Sequence, residues 1–317
     1  EAHRQQHQVG LHLELAAGHG GEGREAAVDD AIYLPPAQRA QSRPPVALRP
    51  VTGGRSEKLS IFFPMWNEEA YIERAVGYAK AECERLIADG EIGDYELIVV
   101  DDCSSDRTPQ MADELAAADP RVVVVHHAVN RKLGGAMKTG FATATGDLVL
   151  YSDADLPFDM AEMRRAVRLL RLYEADIVSA YRHVCSGDAA TTAIYTFFYN
   201  FLIRRLFGVR MRDINFAFKL CRREVFEHIH LQSEGSFIDA ELVIRATRLG
   251  YDILQFGVDY FPRTRGVSTL SRPGIIATIL REMMKHLCSS ISYGGASSLA
   301  ELRSMFWANP DAYMIRQ

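Results

Sequence analysis

The sequence predicts an α/β protein with a mainly parallel sheet that is covered by helices on both faces. Two observations lead to this fold class. Short runs of consecutive apolar residues alternate with longer segments in which apolar residues recur at helical spacing. The short runs do not alternate with polar residues, which is typical of parallel strands buried on both faces. In such sheets, ligands bind beyond the carboxyl ends of the strands.

The predicted elements begin after an N-terminal extension. Residues 1–56 lack sustained periodicity and contain Pro35-Pro36 and Pro44-Pro45, which predicts a mostly disordered segment. Thr108, followed by Pro109, is predicted to cap the N-terminus of a helix. We predict strands at 59–63, 96–100, 121–125, 147–151 and 176–180, and helices at about 68–88, 108–115, 134–144 and 160–173.

The pattern is less regular after Asp159. An aromatic helix is predicted at 194–203, where it either packs on the sheet or lies against lipid headgroups, and the stretch 275–287 has the same two interpretations. We expect one domain over residues 57–272 and a helical tail over 273–317 that could lie at a membrane surface. Within the domain we expect two halves, residues 57–157 and residues 158–272.

Composition excludes several classes of partner. The net charge of -5 provides no basic footprint for nucleic acid. The five cysteines are scattered, odd in number and without a C-x-x-C pair, which is typical of a reducing cytosol. No apolar stretch reaches the roughly 18 residues of a spanning helix, and we recognise no export signal. We therefore expect a cytoplasmic protein without a transmembrane helix, able to associate peripherally with the cytoplasmic face of a membrane.

Two carboxylates follow a predicted strand directly. Asp153 and Asp155 come after the apolar run 148–151, and alternate side chains of a strand share a face. Mg2+ and Mn2+ prefer oxygen ligands and often bridge one or two carboxylates to phosphate oxygens. Taken alone, the pair could equally be a solvated loop or a helix cap. Polar segments at 64–68 and 101–102 also end predicted strands, which favours a shared ligand site at one edge of the sheet.

Four segments in order carry a family resemblance. They are Phe63-Pro64-Met65-Trp66-Asn67-Glu68-Glu69, residues 99–108, residues 130–140 and Asp153-Ala154-Asp155. Together they closely resemble the family 2 glycosyltransferases of GT-A fold, and within them the dolichol-phosphate mannose synthase-like group, which uses polyprenyl phosphates. The resemblance covers about residues 58–272. It implies a nucleotide-diphosphate sugar as donor and Mg2+ or Mn2+ as cofactor. It also implies that residues 57–157 are the donor-binding half of the domain and residues 158–272 the acceptor half.

The resemblance also implies donor-binding residues. Asp101 is expected to hydrogen-bond the base or the ribose. Asp102 either contacts the nucleotide or caps the loop that ends at Thr108, and Lys138 either reaches the diphosphate or faces solvent. Glycines of the third segment are expected to bring backbone close to the donor or the sheet. The expected donor-binding set is Pro64, Asn67, Glu68, Asp101, Asp102, Gly135, Lys138 and Asp153.

The same resemblance makes Asp153 and Asp155 the metal ligands, with Asp155 the firmer one. Pro157 stands where the family often has a metal-binding glutamine, so water or donor oxygens would fill that position. Asp106 is predicted to form a turn. His126 and His127 are predicted to be packed or solvated and not to bind metal.

Acceptor-binding residues follow from three later segments. Arg182 resembles the arginine that meets the acceptor phosphate, a task that suits its bidentate geometry. Asp213 either supports the acceptor loop or is structural. Arg263 is expected to bind diphosphate or acceptor phosphate, and Ser268 to help close its loop. Tyr195 stands where the family has a second basic residue.

Asp239 and Glu241 match an acidic helix start where inverting enzymes of the family place a general base. An alcohol acceptor must lose a proton during attack, whereas a phosphate monoester arrives ionised. The alternative interpretation is that these acids favour the N-terminus of a helix.

The sequence thus predicts an inverting, metal-dependent transfer of a hexose from a GDP-mannose or UDP-glucose type donor to polyprenyl or dolichyl phosphate. The expected catalytic residues are Asp155, Arg182, Asp239 and Glu241. One alternative is transfer to a hydroxyl of a glycan, lipid or natural product. Another is a nucleotide-sugar-binding protein without turnover. A dinucleotide-binding oxidoreductase is disfavoured because no G-x-G-x-x-G follows the first strand.

Overall fold

The structure is a computed structural model that describes residues 57–183, 190–209 and 211–261 together with Arg281; for 190–198 it describes the backbone alone. Arg263, Ser268, the side chain of Tyr195, the extension 1–56 and the stretch 275–287, apart from Arg281, lie outside the described residues.

Seven strands in the described ranges form one sheet in the order β3-β2-β1-β4-β6-β5-β7. All neighbouring strands are parallel except β6, which runs antiparallel to both β4 and β5. This confirms the predicted α/β class with a mainly parallel sheet. The strands are β1 (Lys58–Met65), β2 (Asp94–Asp101), β3 (Val122–His126), β4 (Leu148–Ser152), β5 (Ile177–Arg182), β6 (Phe218–Arg222) and β7 (Ile253–Val258).

Helices cover both faces of this sheet. They are α1 (Ile72–Ala88), α2 (Thr108–Ala118), α3 (Lys132–Thr143), α4 (Glu162–Leu172), α5 (Ala190–Phe207), α6 (Val225–His228) and α7 (Ile238–Arg248). Ile61 and Phe63 of β1 pack in a core with α1, α2 and α4, whereas Phe62 packs in a second core with α3 and α7. Because alternate residues face opposite cores, the segment Ile61-Phe62-Phe63 is apolar on both sides.

Gly140 allows α3 to approach the sheet. A Cβ atom at this position would lie 2.2 Å from the Phe62 ring, well inside van der Waals contact. The prediction that a glycine of this segment brings backbone close to the sheet is therefore confirmed.

The predicted start of α2 was wrong in detail. Thr108 does not cap the helix but is its first residue, and its backbone N–H donates to Asp106 Oδ1 at 2.9 Å. The Thr108 hydroxyl instead accepts a hydrogen bond from the Glu68 N–H at 2.8 Å. Asp106, predicted to form a turn, also accepts from the Glu69 N–H at 3.1 Å. The acidic side chain two residues upstream has taken the role that was expected of the threonine.

The antiparallel strand β6, for which the sequence analysis gives no bounds, brings a further loop to the site edge. Phe218, its first residue, pairs with Ser152, the last residue of β4. The chain that enters β6 therefore lies at the same edge as the carboxyl ends of β1, β2, β4 and β5. No helix within the described ranges is long and apolar enough to cross a membrane.

Candidate active site

The loops after β1 and β2 are tied together by hydrogen bonds. Asn67 lies in the left-handed region with φ 56, which asparagine tolerates better than most residues. Its backbone N–H donates to Ser104 Oγ at 2.9 Å, and its Oδ1 accepts from the Ser105 N–H at 2.8 Å. Glu68, through Thr108, adds a third link. The structure thus brings three of the predicted donor-binding residues, Pro64, Asn67 and Glu68, into one fixed wall beside Asp101.

Asp101 and Asp102 are almost fully buried, and each contacts a histidine. Asp101 Oδ2 lies 2.9 Å from His126 Nδ1, while its Oδ1 accepts from the Ser104 N–H at 3.0 Å. Asp102 Oδ1 lies 2.7 Å from His127 Nδ1 and accepts from the Arg131 N–H at 2.7 Å. Asp102 therefore holds the connection between β3 and α3. The histidines are partners of carboxylates, with the His126 ring exposed and the His127 ring buried.

His126 lies between two acidic groups. Its Nδ1 faces Asp101, and its Nε2 lies 3.1 Å from Asp113 Oδ1. The hydrogen bond with Asp101, and after it the one with Asp113, raise the pKa of His126 above its ordinary value. The protonated ring can donate to both carboxylates at once, so the charged histidine stabilises this end of β2.

The N-terminal part of α3 packs closely on the segment before α7. The Gly134 N–H donates to Glu234 O at 2.9 Å, and a Cβ atom on Gly134 would lie 2.3 Å from Ser233 O. Gly135 also faces this segment, because its Cβ would lie 2.9 Å from a Glu234 carboxylate oxygen. Lys138 forms an ion pair with the same Glu234. The structure therefore places Gly135 and Lys138 against the loop 232–234, and their donor contacts stay predictions.

The carboxylates after β4 form an acidic cluster. Asp153 Oδ1 accepts a hydrogen bond from the Tyr151 hydroxyl at 2.9 Å. Desolvation, followed by the charge of Asp155, raises the pKa of Asp153 to about 7, and Asp239 and Glu68 contribute to the same rise. Asp155, Glu68 and Asp239, from two loops and the first turn of α7, are thus close enough to oppose the ionisation of Asp153. A cation at this point would relieve that repulsion.

These residues fit a divalent cation such as Mg2+ or Mn2+. Both ions prefer oxygen ligands, and Mg2+ is usually held by one or two carboxylates while substrate phosphates and water fill its other positions. Asp153 and Asp155 provide such a pair. Within the described residues there is no group of three or more His, Cys, Asp or Glu side chains that could hold a metal ion.

Asp239 forms a fully buried ion pair that the sequence analysis did not identify. Lys219 Nζ donates to Asp239 Oδ1 at 2.5 Å and to Phe216 O at 2.9 Å, and neither side chain has more than 3% exposure. The ammonium also lies 5.7 Å from the centre of the Tyr151 ring. Burial raises the pKa of Asp239, and Lys219 opposes that rise. A lysine inside the apolar run 216–221 was the available sequence signal.

Glu241 is held by a different set of partners. Its carboxylate accepts hydrogen bonds from the Gln232 N–H at 2.9 Å, the Ser233 N–H at 2.7 Å and Arg245 Nε at 2.7 Å. These bonds fix the loop 232–234 that packs on α3. Asp239 therefore lies beside the acidic cluster, whereas Glu241 braces a neighbouring loop. The role of either residue as a base stays a prediction.

The predicted acceptor residues Arg182 and Asp213 are in contact. Arg182, the last residue of β5, donates from Nε to Asp213 Oδ2 at 2.8 Å, and its guanidinium lies 5.0 Å from the centre of the Tyr260 ring. Asp213 thus supports the orientation of the arginine, and its role in an acceptor loop stays a prediction. The described sheet places this arginine at the same edge as Asp153 and Asp155.

The mainly parallel sheet, with an acidic pair after β4 and an arginine at the end of β5, has the architecture of a glycosyltransferase of GT-A fold. Residues 60–230 match the model of Glycosyl transferase family 2. The chain belongs to this family and is a glycosyltransferase of the dolichol-phosphate mannose synthase-like type.

Two relatives give the family assignment more detail. Polyprenol monophosphomannose synthase of Mycolicibacterium smegmatis is 30% identical over 237 residues, which cover 71% of this chain and 86% of that protein. Glycosyltransferase AglD of Haloferax volcanii is 32% identical over 212 residues, which cover 65% of this chain. The match spans only 33% of AglD.

Solved structures of glucosyl-3-phosphoglycerate synthase from Mycobacterium tuberculosis have the same fold. The complex with UDP matches with a TM-score of 0.55 and 20% identity, covering 78% of this chain and 82% of that one. The complex with Mn2+ and UDP-glucose matches with a TM-score of 0.53 and 21% identity, covering 78% and 81%. At this level of identity the likeness establishes the fold.

Proposed function

We propose that the protein transfers a hexose, with inversion, from a GDP-mannose or UDP-glucose type donor to the phosphate of a polyprenyl or dolichyl phosphate. The choice of acceptor rests on one observation, which is that both candidate bases, Asp239 and Glu241, are engaged by other protein groups. Asp239 is engaged by Lys219 in a buried ion pair, and Glu241 accepts three hydrogen bonds from protein groups. A phosphate acceptor arrives ionised and requires neither of them to take a proton. The similarity to a polyprenol monophosphomannose synthase supports the same choice.

The donor end of the reaction depends on the acidic cluster. Asp153 and Asp155 would hold Mg2+ or Mn2+, which neutralises the charge that develops on the departing nucleoside diphosphate. The Tyr151 hydroxyl fixes one oxygen of Asp153 by its 2.9 Å hydrogen bond. The wall formed by Asn67, Glu68 and Asp101 would orient the nucleoside. Holding both substrates in one geometry supplies much of the remaining acceleration.

The acceptor end depends on Arg182. Its guanidinium is a suitable donor for two phosphate oxygens, and Asp213 holds its Nε side in place. A phosphate bound there would approach the anomeric carbon from the side opposite the diphosphate. Arg263 and Ser268 complete the proposed phosphate-binding set.

The proposed setting is the cytoplasmic face of a membrane, where a lipid-linked phosphate is presented. The exposed residues Phe201 and Arg205 near the end of α5 support this setting, since an apolar ring beside a basic group suits a headgroup region.

The test is a product assay with matched acceptors. Purified protein is incubated with GDP-mannose or UDP-glucose, Mg2+ or Mn2+, and either polyprenyl phosphate or the corresponding polyprenol, and products are identified by mass. We expect a hexosyl phosphoryl polyprenol from the phosphate alone, and no product with EDTA. Product from the polyprenol, or from neither acceptor, would contradict the proposal.

Two variants separate the metal site from general effects. Asp155→Ala should abolish transfer, whereas Asp147→Ala should retain it, because Asp147 is an exposed carboxylate just before β4 at the opposite edge of the sheet. Asp239→Asn and Glu241→Gln test base catalysis, with turnover counted per folded molecule because Asp239→Asn also leaves the buried Lys219 without its carboxylate partner. If Asp239 or Glu241 takes a proton from the acceptor, the corresponding variant should lose most of its turnover. The size of that loss should depend on the pKa of the acceptor.

A further inference from the structure

Two buried acceptor atoms lie in the loop that leads into β6. Asp213 is only 6% exposed, and its Oδ2 is engaged by Arg182. Its second oxygen, Oδ1, is buried and has no hydrogen-bond partner among the residues that the structure describes. The same holds for Oδ1 of Asn215, two residues further on. Leaving such an atom without a donor costs about 1–3 kcal/mol, so two of them in one short loop call for an explanation.

The location of this loop limits what the missing donors can be. Phe216 packs near Phe158, just after the acidic cluster, with ring centroids 6.0 Å apart. Lys219 Nζ donates both to Phe216 O at 2.9 Å and to Asp239 Oδ1, and it lies 5.7 Å from the centre of the Tyr151 ring, whose hydroxyl donates to Asp153. On its other side the loop contacts Arg182. It therefore lies between the residues proposed to hold the diphosphate and the residue proposed to hold the acceptor phosphate.

The group that must occupy this interval during transfer is the sugar. Its anomeric carbon is bonded to the diphosphate and is attacked by the acceptor, so its ring lies between the two. Sugar hydroxyls are O–H donors, which is what a carboxylate oxygen and an amide oxygen accept. The two orphan oxygens are thus acceptors that lie where the hydroxyl donors of the sugar are expected.

We propose that Asp213 Oδ1 and Asn215 Oδ1 accept hydrogen bonds from hydroxyl groups of the transferred hexose and help to determine which sugar is used. This inference rests on the proposed function, since it requires a nucleotide-sugar donor in the same site. Asn215 then acts as a specificity-determining residue. Asp213 has two tasks, one oxygen for Arg182 and one for the sugar.

The test compares binding of the nucleotide with and without its sugar. Calorimetric titration in Mn2+ measures GDP-mannose against GDP, and UDP-glucose against UDP, for the wild type and Asn215→Ala. We expect Asn215→Ala to weaken binding of the sugar nucleotide by about tenfold to a hundredfold and to leave the nucleoside diphosphate unchanged. Equal weakening of both ligands, or of neither, would overturn the inference.

Deoxyfluoro donors identify the hydroxyl, because fluorine fills the space but cannot donate. For the wild type, one of the 2-, 3-, 4- and 6-deoxyfluoro analogues should bind more weakly than the parent sugar nucleotide and react more slowly. The factor should be similar to that expected for Asn215→Ala. For Asn215→Ala, that analogue and the parent sugar should become equivalent. If the variant lowers the parent and every analogue equally, the residue has no hydroxyl partner.

Asn200→Ala is the matched control. Asn200 Nδ2 donates to Arg212 O at 2.8 Å, so its loss loosens the loop without removing either acceptor oxygen. It should lower binding of the parent and all analogues by one common factor. If GDP-mannose and UDP-glucose both fail to bind the wild type, the proposed function and this inference fail together. If transfer occurs without discrimination among the analogues, only this inference fails.

Discussion

The buried Lys219–Asp239 pair allows a sharp test of how the site is held. In Lys219→Met, a side chain of similar length fills the space but cannot donate to Asp239 or to Phe216 O. Breaking a fully buried pair by removing one partner typically costs about 3–5 kcal/mol, because the remaining charge is left uncompensated. A domain of this kind is stable by only about 5–15 kcal/mol, so the loss should be plainly visible.

The same change should depend on pH. Burial already raises the pKa of Asp239, and Lys219 is the group that opposes this rise. Without the lysine the folded-state pKa rises further above the unfolded value. A raised folded pKa contributes stability that is present at low pH and is lost as pH rises through that pKa. The deficit of Lys219→Met should therefore be larger at pH 8 than at pH 5.

Urea unfolding at the two pH values measures the effect, with the slope m as a check on two-state behaviour. The double variant Lys219→Met/Asp239→Leu removes both charges and should recover most of the loss. Lys138→Met is the control, since its partly exposed pair with Glu234 should be worth about 1 kcal/mol or less. A Lys219→Met protein within about 1 kcal/mol of the wild type at pH 8 would refute the reasoning.

Three further predictions follow from single sites. The pKa of Asp153 is raised to about 7, so the folded protein loses stability as Asp153 ionises. In EDTA, the free energy of unfolding of the wild type relative to Asp153→Asn should therefore fall by about 2 kcal/mol from pH 5 to pH 8. Added Mn2+ should reverse this trend in unfolding titrations. The raised pKa of His126 makes its stabilisation greatest below pH 6.5 and lost as pH rises through the folded pKa; His126→Gln should cost less than about 1 kcal/mol at pH 5.5 and nothing at pH 9, as thermal melts would show. Gly140→Ala should destabilise by about 1–3 kcal/mol through its clash with Phe62, whereas Gly77→Ala, with nothing within 4 Å, should stabilise its helix by about 0.5–1 kcal/mol; equal effects in denaturant titration would contradict both assignments.

The positions of the residues proposed to bind the donor could largely be predicted because their signals are local. Buried parallel strands leave continuous apolar runs in the sequence, and polar residues directly after such runs must lie at one edge of the sheet. Asp153 and Asp155 after β4, and Asp101 and Asp102 at the end of β2, follow this rule. The close packing of α3 could also be predicted from its glycines, because only glycine fits where backbone approaches a neighbouring element this closely.

The start of α2 shows the limit of local reasoning. Thr108-Pro109 has the composition of a helix cap, yet Asp106 accepts the first N–H, and the Thr108 hydroxyl accepts from Glu68 in a loop forty residues earlier. Which of two nearby oxygens caps a helix depends on what else competes for them.

The sequence by itself determined the class of fold, the family and the edge of the sheet at which the candidate site lies, because apolar periodicity and short motifs are encoded by neighbouring residues. Only the tertiary structure decided the state of the acids there. It paired Asp239 with Lys219, surrounded Glu241 with donors from the loop 232–234, and placed Arg182 against Asp213. These contacts arise from an antiparallel strand and a helix that come late in the chain. Burial and charge pairing depend on such long-range packing, and no local pattern specifies them.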